Sequence, residues 1–162
     1  MSLITPALIA ALQRQFRLDW HGIHGAPHWA RVRANGLQLA PLTGANAKVV
    51  EYFAFLHDAC REHDDYDTLH GRKAGELVYA LRDLIRLEAS EREELATACE
   101  LHSDGHTCGF SVTVLTCWDA DRLDLARVGI TPHPSRLCTE AACDPAMIEL
   151  AVERSRQWRR GR

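Results

Sequence analysis

Apolar residues recur along this chain at three- and four-residue intervals, the period of helices packed on one side. Thr5 followed by Pro6 is a cap with proline at the first helical position, and Leu8, Leu12 and Phe16 then form one stripe. Pro27 opens a second helix, which Gly36 ends or interrupts. Asn46 caps a third, with Val49, Val50, Phe53 and Leu56 on one side. Gly71 and Gly75 bracket a loop, after which Leu77, Val78, Leu81, Leu84 and Ile85 return to helical spacing. Ser90-Glu91-Arg92-Glu93 reads as a capping box for the next helix. Another runs from Val112 to about Arg127. Asp144-Pro145 starts the last, over about 145–160, with Met147, Ile148, Ala151 and Val152 inward.

The β-branched stretch Ser111–Thr116 is the one candidate strand, and a lone strand has no partner. Thr131–Cys138, with Pro132 and Pro134, is an irregular loop. With no repeat, linker or low-complexity tract, the expectation is one all-α domain over residues 1–162.

Composition narrows the possibilities. A chain of 162 residues, 46% apolar and 25% charged, can bury a core. A net charge of −3 implies no general polyanion-binding surface, so cations that meet a phosphate must be local. The N-terminus has no basic segment before a long apolar one, and no run is long enough to span a bilayer; a cytoplasmic protein without a membrane partner is expected. The cysteines, Cys60, Cys99, Cys108, Cys117, Cys138 and Cys143, form no C-x-x-C pair and are expected as reduced core thiols. The nine histidines are an excess, and imidazole in a neutral protein points to metal or acid–base chemistry.

Where those histidines fall sharpens the picture. His57 follows Val50 by seven residues and Phe53 by four, so it continues the apolar stripe of the third helix, with Asp58 at its end. His102 is seven after Leu95, Asp119 is four after Leu115, and His28 is four before Val32. Ligand-type side chains thus project inward from four helices. Buried carboxylates without cations are costly, and a divalent ion shared with the histidines would supply the missing charge.

The ordered set of His28 in His-Trp-Ala-Arg-Val, the doublet in Phe-Leu-His57-Asp58, and Asp119 in Asp-Ala-Asp-Arg-Leu-Asp resembles the HD superfamily of metal-dependent phosphohydrolases, over about residues 28–125. The resemblance implies a compact helical bundle of the HD-domain type, with His28, His57, Asp58 and Asp119 as metal ligands. It also implies His70, in His-Gly-Arg-Lys-Ala-Gly, and His102, in Leu-His-Ser, as ligands of a second ion. His21, His24, His106 and His133 have no motif support, although His24 stands nearest the first ligand.

An oxygen and nitrogen donor set suits Mn, Fe, Co, Ni or Mg, as one ion or two. Asp58 and Glu62 are the expected catalytic residues, Glu62 as a general acid/base one helical turn after the doublet. Arg31, Arg72, Lys73 and Arg122 are the candidate phosphate contacts. The expected substrate is a nucleotide or other small phosphoester. Carboxylates at Glu62, Asp64, Asp65 and Asp67 disfavour nucleic acid. Other readings stay open: a di-iron oxygenase on the same scaffold, a metal-dependent ligand-sensing module, and a structural zinc site from Cys99, His102, His106 and Cys108. The sequence leaves the oligomeric state open.

Overall fold

The computed structural model describes residues 2–161. Its element order is α1 (Pro6–Gln15), α2 (Ala26–Thr43), α3 (Ala47–Leu56), α4 (His70–Ala80), α5 (Ala89–Leu101), α6 (Val112–Arg122), α7 (Glu140–Cys143) and α8 (Pro145–Arg160), with 3-10 turns at Arg82–Leu84, Leu125–Val128 and Pro134–Arg136. No strand occurs among the described residues, and Ser111–Thr116 is helical: the Ser111 side chain accepts from Val114 N and caps α6.

The expected caps of α1, α3 and α8 are present. Thr5, Asn46 and Asp144 each accept a backbone N–H of the following turn. The capping box of α5 is instead built from Glu88 and Glu91, two residues upstream of the expected Ser90, and the Glu91 carboxylate also holds Asn46 and Lys48 of the α3 start.

Three glycines read as breaks lie inside helices. A Cβ on Gly36 would stand 2.4 Å from Val50 Cγ1, and one on Gly71 would stand 2.5 Å from the Glu100 carbonyl oxygen. These positions let α2 approach α3 and α4 approach α5; the missing side chain serves packing, and the helices run on through it.

The main core joins α1 through α6 around Trp29, Tyr52, Phe53, Leu56, Leu95 and Trp118. A smaller cluster of Leu39, Leu123, Leu137, Met147 and Ala151 seats α7 and α8. Cys99 and Cys117 are buried thiols as expected, but Cys60, Cys138 and Cys143 are half-buried and Cys108 is exposed; all six are unpaired. No helix among the described residues is long and apolar enough to cross a membrane. The ends of α3 and α5 and the starts of α2 and α4 meet the C-terminal half of α6 at one place, and the histidines converge there.

Candidate metal centre

Four imidazoles form two facing pairs. His28 Nε2 lies 3.1 Å from His57 Nε2, and His70 Nε2 lies 2.9 Å from His102 Nε2. Asp58 stands between the pairs. Its Oδ2 is 3.6 Å from His28 Nε2 and 3.8 Å from His57 Nε2, while its Oδ1 is 3.4 Å from both His70 Nε2 and His102 Nε2. Asp121 completes the first group, its Oδ1 3.3 Å from His28 Nε2 and 3.5 Å from His57 Nε2. Five of these six side chains are buried, and Asp121, 17% exposed, faces outward most.

The far side of each ring explains why these nitrogens point inward. His28 Nδ1 is 2.7 Å from the Asp124 carboxylate. His57 Nδ1 is 3.1 Å from Phe53 O, His70 Nδ1 is 2.6 Å from Asp67 O, and His102 Nδ1 is 2.7 Å from Cys99 O. A carbonyl or ionised carboxylate only accepts, so each Nδ1 carries the proton and each Nε2 presents a lone pair. Two lone pairs facing each other at about 3 Å need a proton or a cation between them. Two nitrogens bound at right angles to one ion, at about 2.1 Å each, would stand about 3 Å apart. The donors therefore fit a divalent ion in each half of the cluster, with Asp58 shared. The groups His28, His57, Asp121 and His57, Asp58, His102 have the mutual spacing of ion ligands; the first lies in one half and the second crosses between the halves.

The electrostatics of the cluster suit a cation. Burial, the largest influence on Asp58 and Asp121, opposes their charge, yet the neighbouring imidazoles, His57 foremost, hold both carboxyls well below the usual range. Burial likewise opposes charge on His57, but Asp58 and Asp121 together raise its pKa above 6.5. Burial and then the Arg127 charge lower that of His28. Burial and then His102 bring His70 down to about 4, which leaves its Nε2 free to accept; the Ser103 hydroxyl lies 3.1 Å from it.

Asp119 is not part of this cluster, and its expected place falls to Asp121. Its Oδ1 accepts from Cys138 N at 2.6 Å, and its Oδ2 accepts from Thr139 N at 2.8 Å and Thr139 Oγ1 at 2.6 Å. Residues two apart on a helix point about 200° away from each other, so only one of the pair can face His28. The apolar stripe misled because α6 is covered on nearly every side: Val114, Cys117, Trp118 and Ala120 are all buried, whereas Val112 is 41% exposed.

The expected phosphate contacts do not converge on the cluster. Arg31 is buried in a two-pronged pair with Asp124, at 2.7 and 2.9 Å, and its guanidinium stacks over Trp158. Arg72 is exposed beside Glu76. Arg122 donates to Arg136 O and Cys138 Sγ. Lys73 pairs with Glu62 at 3.0 Å. Both Lys73 and Glu62 line a cavity of about 650 Å³ with Arg14, Arg17 and Cys60, and no cluster histidine borders it. Burial pushes the Cys60 thiol up to about 11, so it is inert there.

Three residues not expected as ligands brace the cluster, one of them Asp124, the last residue of the Asp-Ala-Asp-Arg-Leu-Asp string. Asp124 fixes His28 and receives Arg31 and the Ser155 hydroxyl. His24 Nδ1 lies 3.0 Å from Asp58 Oδ2, and Arg61 Nε donates to Asp58 Oδ1 at 3.0 Å. In the sequence His24 stands out only as the histidine nearest His28, Asp124 only as the end of the acidic string, and nothing signals Arg61.

A six-residue histidine and aspartate cluster at the meeting point of five helices defines an all-α protein with a candidate two-ion centre. No protein-family model and no curated protein matches the chain. Among solved structures it is similar to a predicted HD superfamily hydrolase from an uncultured Thermotogales bacterium, with a TM-score of 0.70 and 22% identity over 98% of this chain and 90% of that one. The chain thus shares the fold of that structure, all-helical as the sequence resemblance implies.

Proposed function

We propose that this chain is a metal-dependent hydrolase that cleaves a nucleotide or other small phosphoester at a pair of divalent ions. The observation that carries the reading is the four-histidine arrangement. Each Nδ1 is committed to an acceptor, and each Nε2 is turned toward a shared carboxylate. His28, His57, Asp58 and Asp121 would hold one ion, and Asp58, His70 and His102 the other. Bound ions of this kind lower the pKa of water and polarise a phosphoryl oxygen. The mixed nitrogen and oxygen set suits Mn, Fe, Co, Ni or Mg.

Asp121, the most exposed ligand, marks the side from which water and substrate reach the centre. Arg31, Arg72, Lys73 and Arg122 are engaged elsewhere, so the ions themselves would meet the substrate's charge. That favours a small phosphoester, and the acidic 62–67 segment counts against nucleic acid. Six unpaired cysteines fit a reducing compartment, and we place the protein in the cytoplasm.

A phosphatase and nucleotidase screen with Mn, Co, Ni and Mg tests the reading. Turnover is expected with at least one of these ions, and turnover that survives His57→Ala and Asp58→Ala together would refute it. The six-ligand set also favours a second reading, a di-iron oxygenase. Iron content with substrate-dependent oxygen uptake would select that chemistry.

A further inference from the structure

The two side chains that grip Asp58 also grip the loop beside it. His24 Nδ1 faces Asp58 Oδ2, and its Nε2 lies 3.0 Å from Asp64 O. The backbone holds this ring in turn, since Trp29 Nε1 donates to His24 O at 2.8 Å. Arg61 Nε donates to Asp58 Oδ1, and its Nη1 donates to His63 O at 3.2 Å and Asp65 O at 3.1 Å. Three successive carbonyls, 63 to 65, therefore hang from the residues that fix the shared carboxylate. At the other end of the loop His70 is tied to Asp67 O, and the Asp67 carboxylate accepts from Glu62 N at 2.8 Å, Leu69 N at 3.3 Å and His70 N at 3.2 Å.

Beyond these bonds and the exposed Glu62–Lys73 pair, the loop has little to order it. Residues 62–66 are all exposed, Tyr66 at 89%, so no apolar side chain among them is anchored in the core. Glu62, Asp64, Asp65 and Asp67 add mutual repulsion. A segment with few buried contacts opens at low cost, and its order depends on the specific bonds that hold it.

Resting on the two-ion reading, we propose that His24 and Arg61 are positioning residues that couple ion binding at Asp58 to closure of the 62–69 loop over the centre. An ion on each side of Asp58 fixes the plane of its carboxylate. That fixes the His24 ring and the Arg61 fork, and through them the three carbonyls. Linkage makes the effect reciprocal: what loosens the loop weakens ion binding by the same factor.

The test combines Mn2+ titration calorimetry with amide hydrogen exchange of residues 62–69, on wild-type chain and on Arg61→Gln, Arg61→Lys and His24→Gln. Mn2+ should slow exchange of the wild-type loop about tenfold or more. Arg61→Gln should abolish that protection and weaken Mn2+ binding about 10- to 100-fold, the range for residues that orient ligands. Arg61→Lys should recover part of the affinity, because the charge on Asp58 returns, but not the loop protection, because a point charge cannot hold Asp58 and two carbonyls at once. A merely structural arginine would show no such split. Mn2+ binding with no change in loop exchange, or wild-type affinity in Arg61→Gln and His24→Gln, overturns the coupling and leaves the two-ion reading standing. Failure of the wild-type chain to bind Mn2+ overturns both.

Discussion

Exchanging Asp121 and Asp119 for asparagine, one at a time, separates a ligand from an anchor two residues away. Asp121→Asn removes the carboxylate that lies 3.3 and 3.5 Å from His28 and His57, and leaves the packing of α6 untouched. Residues that only orient ligands change metal affinity about 10- to 100-fold, so loss of a direct charged ligand should reach about 100-fold or more, or about 2.7 kcal/mol. Asp119→Asn acts on folding instead. An asparagine keeps one acceptor oxygen but sets an amide against one of the three donors from Cys138 and Thr139, leaving a buried N–H without a partner. That costs about 1–3 kcal/mol, softened by the relief of a charge whose pKa burial already raises. For a chain of this size the melting temperature should fall by about 2–12 °C. Its Mn2+ affinity should stay within about twofold of wild type, the scatter expected of groups that share no partner. Paired calorimetry and thermal melts of the two variants read both quantities. The reverse pattern, with Asp119→Asn losing ion affinity and Asp121→Asn retaining it, would refute the assignment.

Other outcomes follow from the same geometry. Mn2+ affinity should rise with pH above 6.5 until His57, whose pKa is raised, has lost its proton; His70, near 4, adds no dependence there. Titrations from about pH 5.5 to 8.5 check this, and a flat profile speaks against it. Glu62→Gln should leave turnover near wild type in steady-state assays, since its carboxylate pairs with Lys73 in a cavity away from the cluster; a hundredfold loss would restore it as an acid/base. Gly71→Ala drives a methyl against the Glu100 carbonyl and should cost about 1–3 kcal/mol in chemical denaturation while spreading His70 from His102. Asp124→Asn should weaken Mn2+ binding about 10- to 100-fold by freeing the His28 ring.

Much of this was readable from spacing. Caps at Thr5, Asn46 and Asp144 and the apolar stripes place the helices, and His28, His57, Asp58, His70 and His102 stand together as the family resemblance implies. Gly36 and Gly71 misled because a glycine that lets two helices touch looks, in one dimension, like one that ends a helix. Asp119 follows the apolar stripe of α6, but a helix buried nearly all round has more than one inward face, and the stripe does not say which face meets the histidines. The contacts of His24 and Asp124 are not legible in the sequence because their partners lie 34 and 96 residues away and only the fold brings them together; Arg61 stands three residues from Asp58 but carries no pattern that marks it. Each of the four basic residues expected to contact phosphate has a carboxylate or carbonyl partner close by.

The proposed two-ion centre is built on Asp58. Elemental analysis of the wild-type chain after saturation with Mn2+ and removal of free ion tests it most directly. Two ions per chain are expected, falling to one when His70 and His102 are both alanine. A wild-type chain that retains none, or one that keeps both ions after His57 and Asp58 are replaced, would contradict it.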